Sequence, residues 1–390
     1  MLKRIPMRLS LLLASLLLCF SGRSAHAWSG YTHSLIAEES LKNVAKEWGL
    51  ESPIRITSFE SFLKKLSQEK PEIQTREDFA KWLQINPKGK FDHFKKEEKI
   101  GENITPFKVL TFSSPRADDG RDKHIPYDPV EQFWFGKGTK TASQAFRHME
   151  KPPFNLFDPL NTFGFPLGRI GQASERAQIY FDLALLAYRL KEPYWAFNFL
   201  GCALHYLQDL QQPYHAAQLS PPLAFEGIKA YLRWGRKEKW GLIKTITHVT
   251  ANTHHYFEGY VDYQLTSNNS SVGKLWKEAL SGESLLPQFT SALGLAKQVR
   301  DFSNRFSYDT IKSTFKITGK SLTSSYTYAI DDEEGEQLHP EDPTPYLNPD
   351  HLERVKAADT LSPIVHESFQ QQGKVIRTVI RAFLDQAQKI

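Results

Sequence analysis

The stretch from Tyr194 to about Leu210 is apolar nearly all the way round a helix, and such a helix has to lie inside a larger body of packed elements. It nevertheless carries His205 and Asp209. These two are four residues apart, so on a helix they share a face, and in an apolar interior each needs a partner to offset its desolvation. Pro213 ends the helix and lets His215 swing back toward that face. The run His205-Tyr-Leu-Gln-Asp209-Leu-Gln-Gln-Pro213-Tyr-His215 therefore gathers an imidazole, a carboxylate and a second imidazole. Such a set can hold two zinc ions with the carboxylate bridging, whereas the plain alternative is a buried helix whose polar residues hydrogen-bond one another.

Other segments share the helical period. From Ser174 to Leu190 apolar residues recur at three and four, until Lys191-Glu192-Pro193 breaks the run. A third helix is expected over Gly241 to Tyr263, and a last one from Pro363 to Gln388 with a polar lead-in at Asp359 and Thr360. Between Ser113 and Phe165 the text turns to Gly, Pro, Asp and aromatics without a period, which reads as long surface loops of the functional kind. Residues Asp331 to Pro349 read as an acidic linker or excursion before the final helix. The expectation is an all-α fold, a single compact multi-helix domain over residues 28–390 with long loop insertions.

The beginning of the sequence is set apart from that body. Lys3, Arg4 and Arg8 precede an apolar run from Leu11 to Phe20, and Ala25-His26-Ala27 is a small-residue cleavage signal. The run is too short to cross about 30 Å of hydrocarbon, so residues 1–27 are expected to be a signal peptide removed after Ala27, leaving a secreted or periplasmic protein. Leu18 ahead of Cys19 argues against a lipid-modified cysteine. Four of the 49 basic residues leave with the signal, so the formal charge falls from +5 to +1 and makes no strong electrostatic claim on nucleic acid or anionic lipid. Cys202 is then the one remaining cysteine, and an exported chain without a disulfide must draw stability from a large core or from bound metal.

Two further groups carry metal-ligand chemistry. His254 and Glu258 repeat the spacing of four, a pattern that by itself is more often a surface pair. At the processed start, Trp28-Ser-Gly-Tyr-Thr-His33, the free amine and carbonyl of Trp28 can chelate one metal as a five-membered ring, with His33 completing its ligation. The amine must be neutral for this, so binding competes with protonation, and cleavage becomes the activating step.

Taken together, Trp28 beside the cleavage site, an early His33, the His205-to-His215 run with its following Ala-Ala, and His254-x-x-x-Glu258-x-x-Val-Asp262 resemble the bacterial zinc-dependent phospholipase C family. That family shares its helical fold with the fungal single-strand-specific nucleases. The resemblance is dense from Gly201 to Asp262 and local around Trp28. It implies three zinc ions. Asp118, His148, His205 and Asp209 would hold one, His215, His254 and Glu258 the second, and Trp28, His33 and the bridging Asp209 the third. The family's Asp matches Asp118, with Asp119 adjacent and Ala117 where a Pro is usual. Its intermediate His matches His148, with His124 as competitor. His93, His124, His248, His339, His351 and His366 are otherwise expected at the surface, and His255 packed or solvated.

The chemistry implied is attack on a phosphodiester by water whose pKa clustered zinc has lowered, with Asp118 as general base and ligand. No Ser or Cys nucleophile arrangement and no Gly-rich phosphate loop is present. Glu258 and the text after His215 resemble the phospholipases, which makes phospholipid at a membrane surface the expected substrate. The short spacing from Trp28 to His33 resembles the nucleases, so nucleic acid is the second reading, and a non-catalytic zinc-stabilised secreted binding protein the third. No protein partner is implied, and no appended lipid-binding β-domain is evident. Phe133-Trp134-Phe135 could insert into lipid, stack on a base, or simply pack.

Overall fold

The computed structural model of the chain describes residues 30–85, 99–118, 147–151, 170–217, 221–237, 242–268, 270–318, 323 and 352–389. In chain order these residues form α1 (Gly30–Leu41), β1 (Ile54–Arg55), α2 (Phe59–Glu69), α3 (Arg76–Leu83), β2 (Asn103–Ile104) and α4 (Pro106–Ser113), which runs on into a 3-10 turn (Ser114–Asp118). There follow β3 (Glu150–Lys151), β4 (Ile170–Gly171), α5 (Ala173–Arg189), α6 (Pro193–Leu210), α7 (Pro213–Ala216), α8 (Pro221–Ala230) and a π-helical turn (Tyr231–Gly235). The remainder is α9 (Leu242–Thr266), α10 (Ser271–Leu280), α11 (Ala292–Asn304), α12 (Ser307–Thr318) and α13 (Leu352–Ala387). The fold is all-α. Among the described residues the strands are two antiparallel pairs of two residues each, β1 with β2 and β3 with β4.

Local chemistry explains the starts of these helices. Ser58 accepts from the Ser61 amide ahead of α2, Thr75 and Asp78 form a reciprocal capping box on α3, and Thr105 caps α4 with Pro106 at its first position. The break at Lys191-Glu192-Pro193 is a tight turn. Lys191 takes a left-handed φ of 58°, and Pro193, which has no amide hydrogen to lose, opens α6.

Helix α6 is the axis of the molecule. Every residue from Tyr194 to Leu210 is buried, as its nearly continuous apolar circumference requires, and α4, α5, α11 and α13 pack around it. At its first turn, Trp195 packs on Phe59, Phe62 and Phe199, which Phe79 also contacts, and donates from its indole nitrogen to the Ser58 carbonyl at 3.0 Å. Each fully buried aromatic or Leu side chain of this kind contributes about 1.5–3 kcal/mol. Arg377 of α13 ties the opposite side together, donating to the carbonyls of Ser40 at 3.1 Å and Leu280 at 2.6 Å.

Two expectations are corrected. The last helix does not begin at Pro363 but runs from Leu352 straight through it, so Asp359 and Thr360 are helical rather than a lead-in. Proline there forfeits one backbone hydrogen bond, but Leu361, Val365 and Phe369 on either side are buried, and packing of a long helix outweighs one local bond. Nor is the region after Ser113 all loop: the 3-10 turn and β3 lie within it. The rest of that loop region, residues 119–146 and 152–165, and the acidic stretch 331–349 lie outside the described residues, as do residues 1–29. No helix among the described residues is long and apolar enough to cross a membrane.

Candidate metal centre

The site is assembled on the last two turns of α6, where His205 and Asp209 are fully buried and face the same side. What they meet depends on a close helix crossing. At Gly201, one turn earlier, a Cβ atom would lie 2.6 Å from Cβ of Ser113 and 3.2 Å from the Leu110 carbonyl oxygen, so α4 and α6 approach closer than any residue with a side chain allows. That contact delivers the 3-10 turn. The Ser114 carbonyl accepts from His205 Nδ1 at 2.9 Å, and Asp118 Oδ1 comes to 3.6 Å from His205 Nε2.

His148 enters from the segment before β3. This segment is fixed by Gly171, whose φ of 102° and missing side chain admit the Met149 carbonyl, and by buried Glu150, which pairs with Arg300 and accepts from the Ser174 amide at 3.2 Å. His148 Nδ1 then lies 2.9 Å from both Asp209 Oδ2 and His205 Nε2, and 3.5 Å from Asp118 Oδ1. From α1, His33 stacks on His205 with centroids 4.1 Å apart and brings its Nε2 to 3.4 Å from Asp209 Oδ1 and 3.9 Å from Asp118 Oδ2.

A second group lies beside the first. Pro213 opens the short α7, which turns His215 toward α9, where His254 and Glu258 are one turn apart. His215 Nε2 is 3.1 Å from His254 Nε2, which is 2.9 Å from Glu258 Oε1. The two groups share His148, because His215 Nδ1 donates to its backbone carbonyl at 2.5 Å.

The proton positions follow from the acceptors. Carbonyl oxygens can only accept, so Nδ1 carries the hydrogen in His205 (toward Ser114), His215 (toward His148) and His33 (toward the Gln208 side-chain oxygen at 2.5 Å). In all three the Nε2 lone pair is left pointing into the cluster, as in metal-bound imidazoles. Burial, reinforced by His205, pushes His33 down to about 4, and burial with His254 pushes His215 down to about 3. Burial alone would raise the Asp209 carboxyl, but the neighbouring His205 and a hydrogen bond from His148 hold it below the usual carboxylate range.

These residues fit a metal. His33 Nε2 and Asp209 Oδ1 are buried without a hydrogen-bond partner among the described residues, and two imidazole nitrogens that each lack a hydrogen or share one face each other across 3.1 Å. Two donors on one tetrahedral zinc sit about 3.3 Å apart. The separations here run from 2.9 to 3.9 Å. Three groups can hold an ion: His33 with Asp118 and His205, His148 with His205 and Asp209, and His215 with His254 and Glu258.

The structure thus brings together eight of the side chains singled out in the sequence: His33, Asp118, His148, His205, Asp209, His215, His254 and Glu258. Trp28, Asp119, His124 and Phe133-Trp134-Phe135 lie outside the described residues, as do His93, His339 and His351 and the side chains of His248 and His255; His366 is half-buried. Three supporting residues escaped the sequence reading. Gln208 holds His33 Nδ1 and accepts from Ser114 Oγ at 2.9 Å, and Gln212 Nε2 donates to Glu258 Oε1 at 2.9 Å. The signal for both glutamines was their position in the same buried turns as His205 and Asp209.

Two phospholipase C sequences from Bacillus cereus are each 47% identical to this chain over 57 residues, amounting to 14% of this chain and 20% of each relative. The match spans about a fifth of the length of these relatives. No family model matches the chain, and no solved structure matches it. An all-α body with three groups able to hold metal, similar over a short segment to phospholipase C, is what the fold, the geometry and the comparisons jointly establish.

Proposed function

We propose that this chain is an exported zinc-dependent phosphodiesterase that cleaves glycerophospholipids as a phospholipase C does. The observation that carries the reading is the convergence of imidazole lone pairs and carboxylates from α1, the 3-10 turn, the β3 approach, α6, α7 and α9 on one buried cluster. Similarity to the Bacillus cereus phospholipases supports lipid over nucleic acid.

Asp118, His148, His205 and Asp209 would hold one ion, and His215, His254 and Glu258 a second. Trp28, through its amine and carbonyl, would hold a third with His33 and Asp209. Trp28 stands two residues ahead of Gly30, the first residue of α1, and so within about 7 Å of chain reach from it. Signal cleavage after Ala27 creates the free amine. Zinc, when bound, lowers the pKa of coordinated water and neutralises phosphodiester oxygens. Asp118 serves as general base. Its side chain is 9% exposed where those of Asp209 and Glu258 are 0% and 1%, so it is the carboxylate that solvent reaches. Oδ1 faces His148 and His205 and the buried Oδ2 faces His33 at 3.9 Å, so the carboxylate stands among the proposed ligands where it can take the proton of a water held there.

The test is metal analysis of the processed protein with turnover assays on phosphatidylcholine, phosphatidylglycerol and single-stranded DNA. Bound zinc with release of diacylglycerol is expected. Cleavage of DNA without lipid would replace this reading with the nuclease one, and zinc without turnover on any substrate would leave a binding protein.

A further inference from the structure

One face of the molecule combines exposed apolar side chains with cations, in a chain whose overall charge is nearly balanced. Along α8 and the π-helical turn, Phe225, Ile228 and Leu232 are 60%, 37% and 60% exposed. Their spacing is that of one helical stripe, while the opposite stripe of Leu223, Gly227, Ala230 and Trp234 is buried, with Gly227 against Ile246 of α9. Tyr308 of α12, 45% exposed, continues the apolar area across a shallow cleft that also holds Pro222 and Phe315.

Cations are interleaved with this area. Lys229 Nζ lies 3.9 Å from the centre of the Phe225 ring, and Lys312 Nζ 5.3 Å from that of Tyr308. Arg233, Arg236 and Lys237 follow on the exposed side, and Lys316 lines the cleft. Among the described residues here Glu226, which pairs with Lys229 at 2.7 Å, and Asp309 are the acids. Lysine is depleted from the centres of protein–protein interfaces, whereas large apolar side chains alternating with Lys and Arg on one helix face suit the boundary of an anionic bilayer.

We propose that the face formed by α8, the π-helical turn and α12 docks on an anionic phospholipid surface, with Phe225 and Leu232 seated among the acyl chains and Lys229, Arg236 and Lys312 against lipid phosphates. The choice of lipid as occupant rests on the phospholipase reading above. The face is also mechanically close to the candidate centre. Ile246 lies about 12 Å along α9 from His254. Helix α8 packs against both α9 and α12, and α12 in turn packs against α7, which carries His215.

The experiment measures binding of the zinc-loaded, processed protein to vesicles whose lipids carry a P–C bond in place of the scissile P–O bond. One set has choline head groups alone, and the other adds glycerol head groups. Hydrolysis of short-chain phosphatidylcholine dispersed as monomers is measured in parallel. The protein is expected to prefer the anionic vesicles by about tenfold. A Phe225→Ser/Leu232→Ser variant is expected to lose binding on the order of a hundredfold. An Arg236→Glu/Lys312→Glu variant is expected to lose the anionic preference, and both variants to hydrolyse monomers like the parent.

Variants that bind anionic vesicles as the parent does would overturn the assignment. If they also lose self-association by size-exclusion chromatography, the face belongs to a second copy of the chain instead. A protein that hydrolyses no phosphodiester yet loses vesicle binding in both variants would sustain the docking face while removing the phospholipase reading.

Discussion

Replacing Gly201 by Ala tests whether the candidate centre depends on the contact between α4 and α6. The new Cβ would lie 2.6 Å from Cβ of Ser113 and 3.0 Å from its carbonyl carbon, where comfortable carbon contacts begin at about 3.5 Å. Two of the obstructing atoms are backbone, counting the Leu110 carbonyl oxygen, so α4 has to retreat by about 1 Å. Such overpacking costs about 1–3 kcal/mol, and the better helix propensity of Ala returns about 1 kcal/mol. A net loss of up to about 2 kcal/mol is expected, visible as a fall of a few degrees in Tm.

The larger effect falls on metal. Retreat of Ser113 draws the Ser114 carbonyl away from His205 Nδ1, now 2.9 Å distant, and widens the 3.6 Å gap from Asp118 to His205. Loss of such outer support typically weakens metal affinity by about 10–100-fold. Titration against a fluorescent chelator should show that loss at the α6 group while the group on α7 and α9 changes little. Adding Ser113→Gly, which removes the nearest obstructing atom, should restore part of the affinity. Unchanged affinity and Tm in Gly201→Ala would refute the argument that this crossing sets the geometry.

Asp209→Asn keeps the shape of a buried side chain 2.9 Å from His148 and 3.4 Å from His33 but removes its charge; two of three zinc ions and nearly all turnover should disappear, and full metal content in that variant would contradict a bridging role. One additional residue ahead of Trp28 should cost the third ion by metal analysis, and undiminished activity would remove the amino terminus from the centre. For metal-stripped protein, His33 and His215 are held neutral at about 4 and about 3, below their ordinary 6.5. The unfolded chain therefore binds more protons than the folded one between about pH 6.5 and 4, so stability is full above that window and falls as pH drops through it, by up to about 2.7 kcal/mol per unit for two histidines. Urea midpoints that stay constant across the window would count against buried, neutral imidazoles.

Much of this is legible in the sequence, for reasons that differ by residue. His205 and Asp209 stood out because a spacing of four on an apolar helix fixes both their common face and their need for partners. The α5–α6 break was legible because Pro193 can start a helix but not continue one. By the same rule Pro363 misled, since the buried neighbours that hold α13 together through it contribute through tertiary packing, which local propensity does not contain. Asp118 and His148 could be matched to a pattern but not placed by spacing, as neither lies on a regular helix long enough to fix its direction. Gln208 and Gln212 look like ordinary polar residues until their hydrogen bonds to His33 and Glu258 are seen.

His148 belongs to both groups at once, offering its ring to Asp209 and His205 and its backbone oxygen to His215. On the proposed assignment, an ion that immobilises the ring also pins that oxygen, which orients the imidazole awaiting the neighbouring ion; the reverse holds by thermodynamic reciprocity. Partly filled molecules should accordingly be fewer at intermediate zinc supply than independent groups would give, the first ion easing entry of the next without fusing the two into one step.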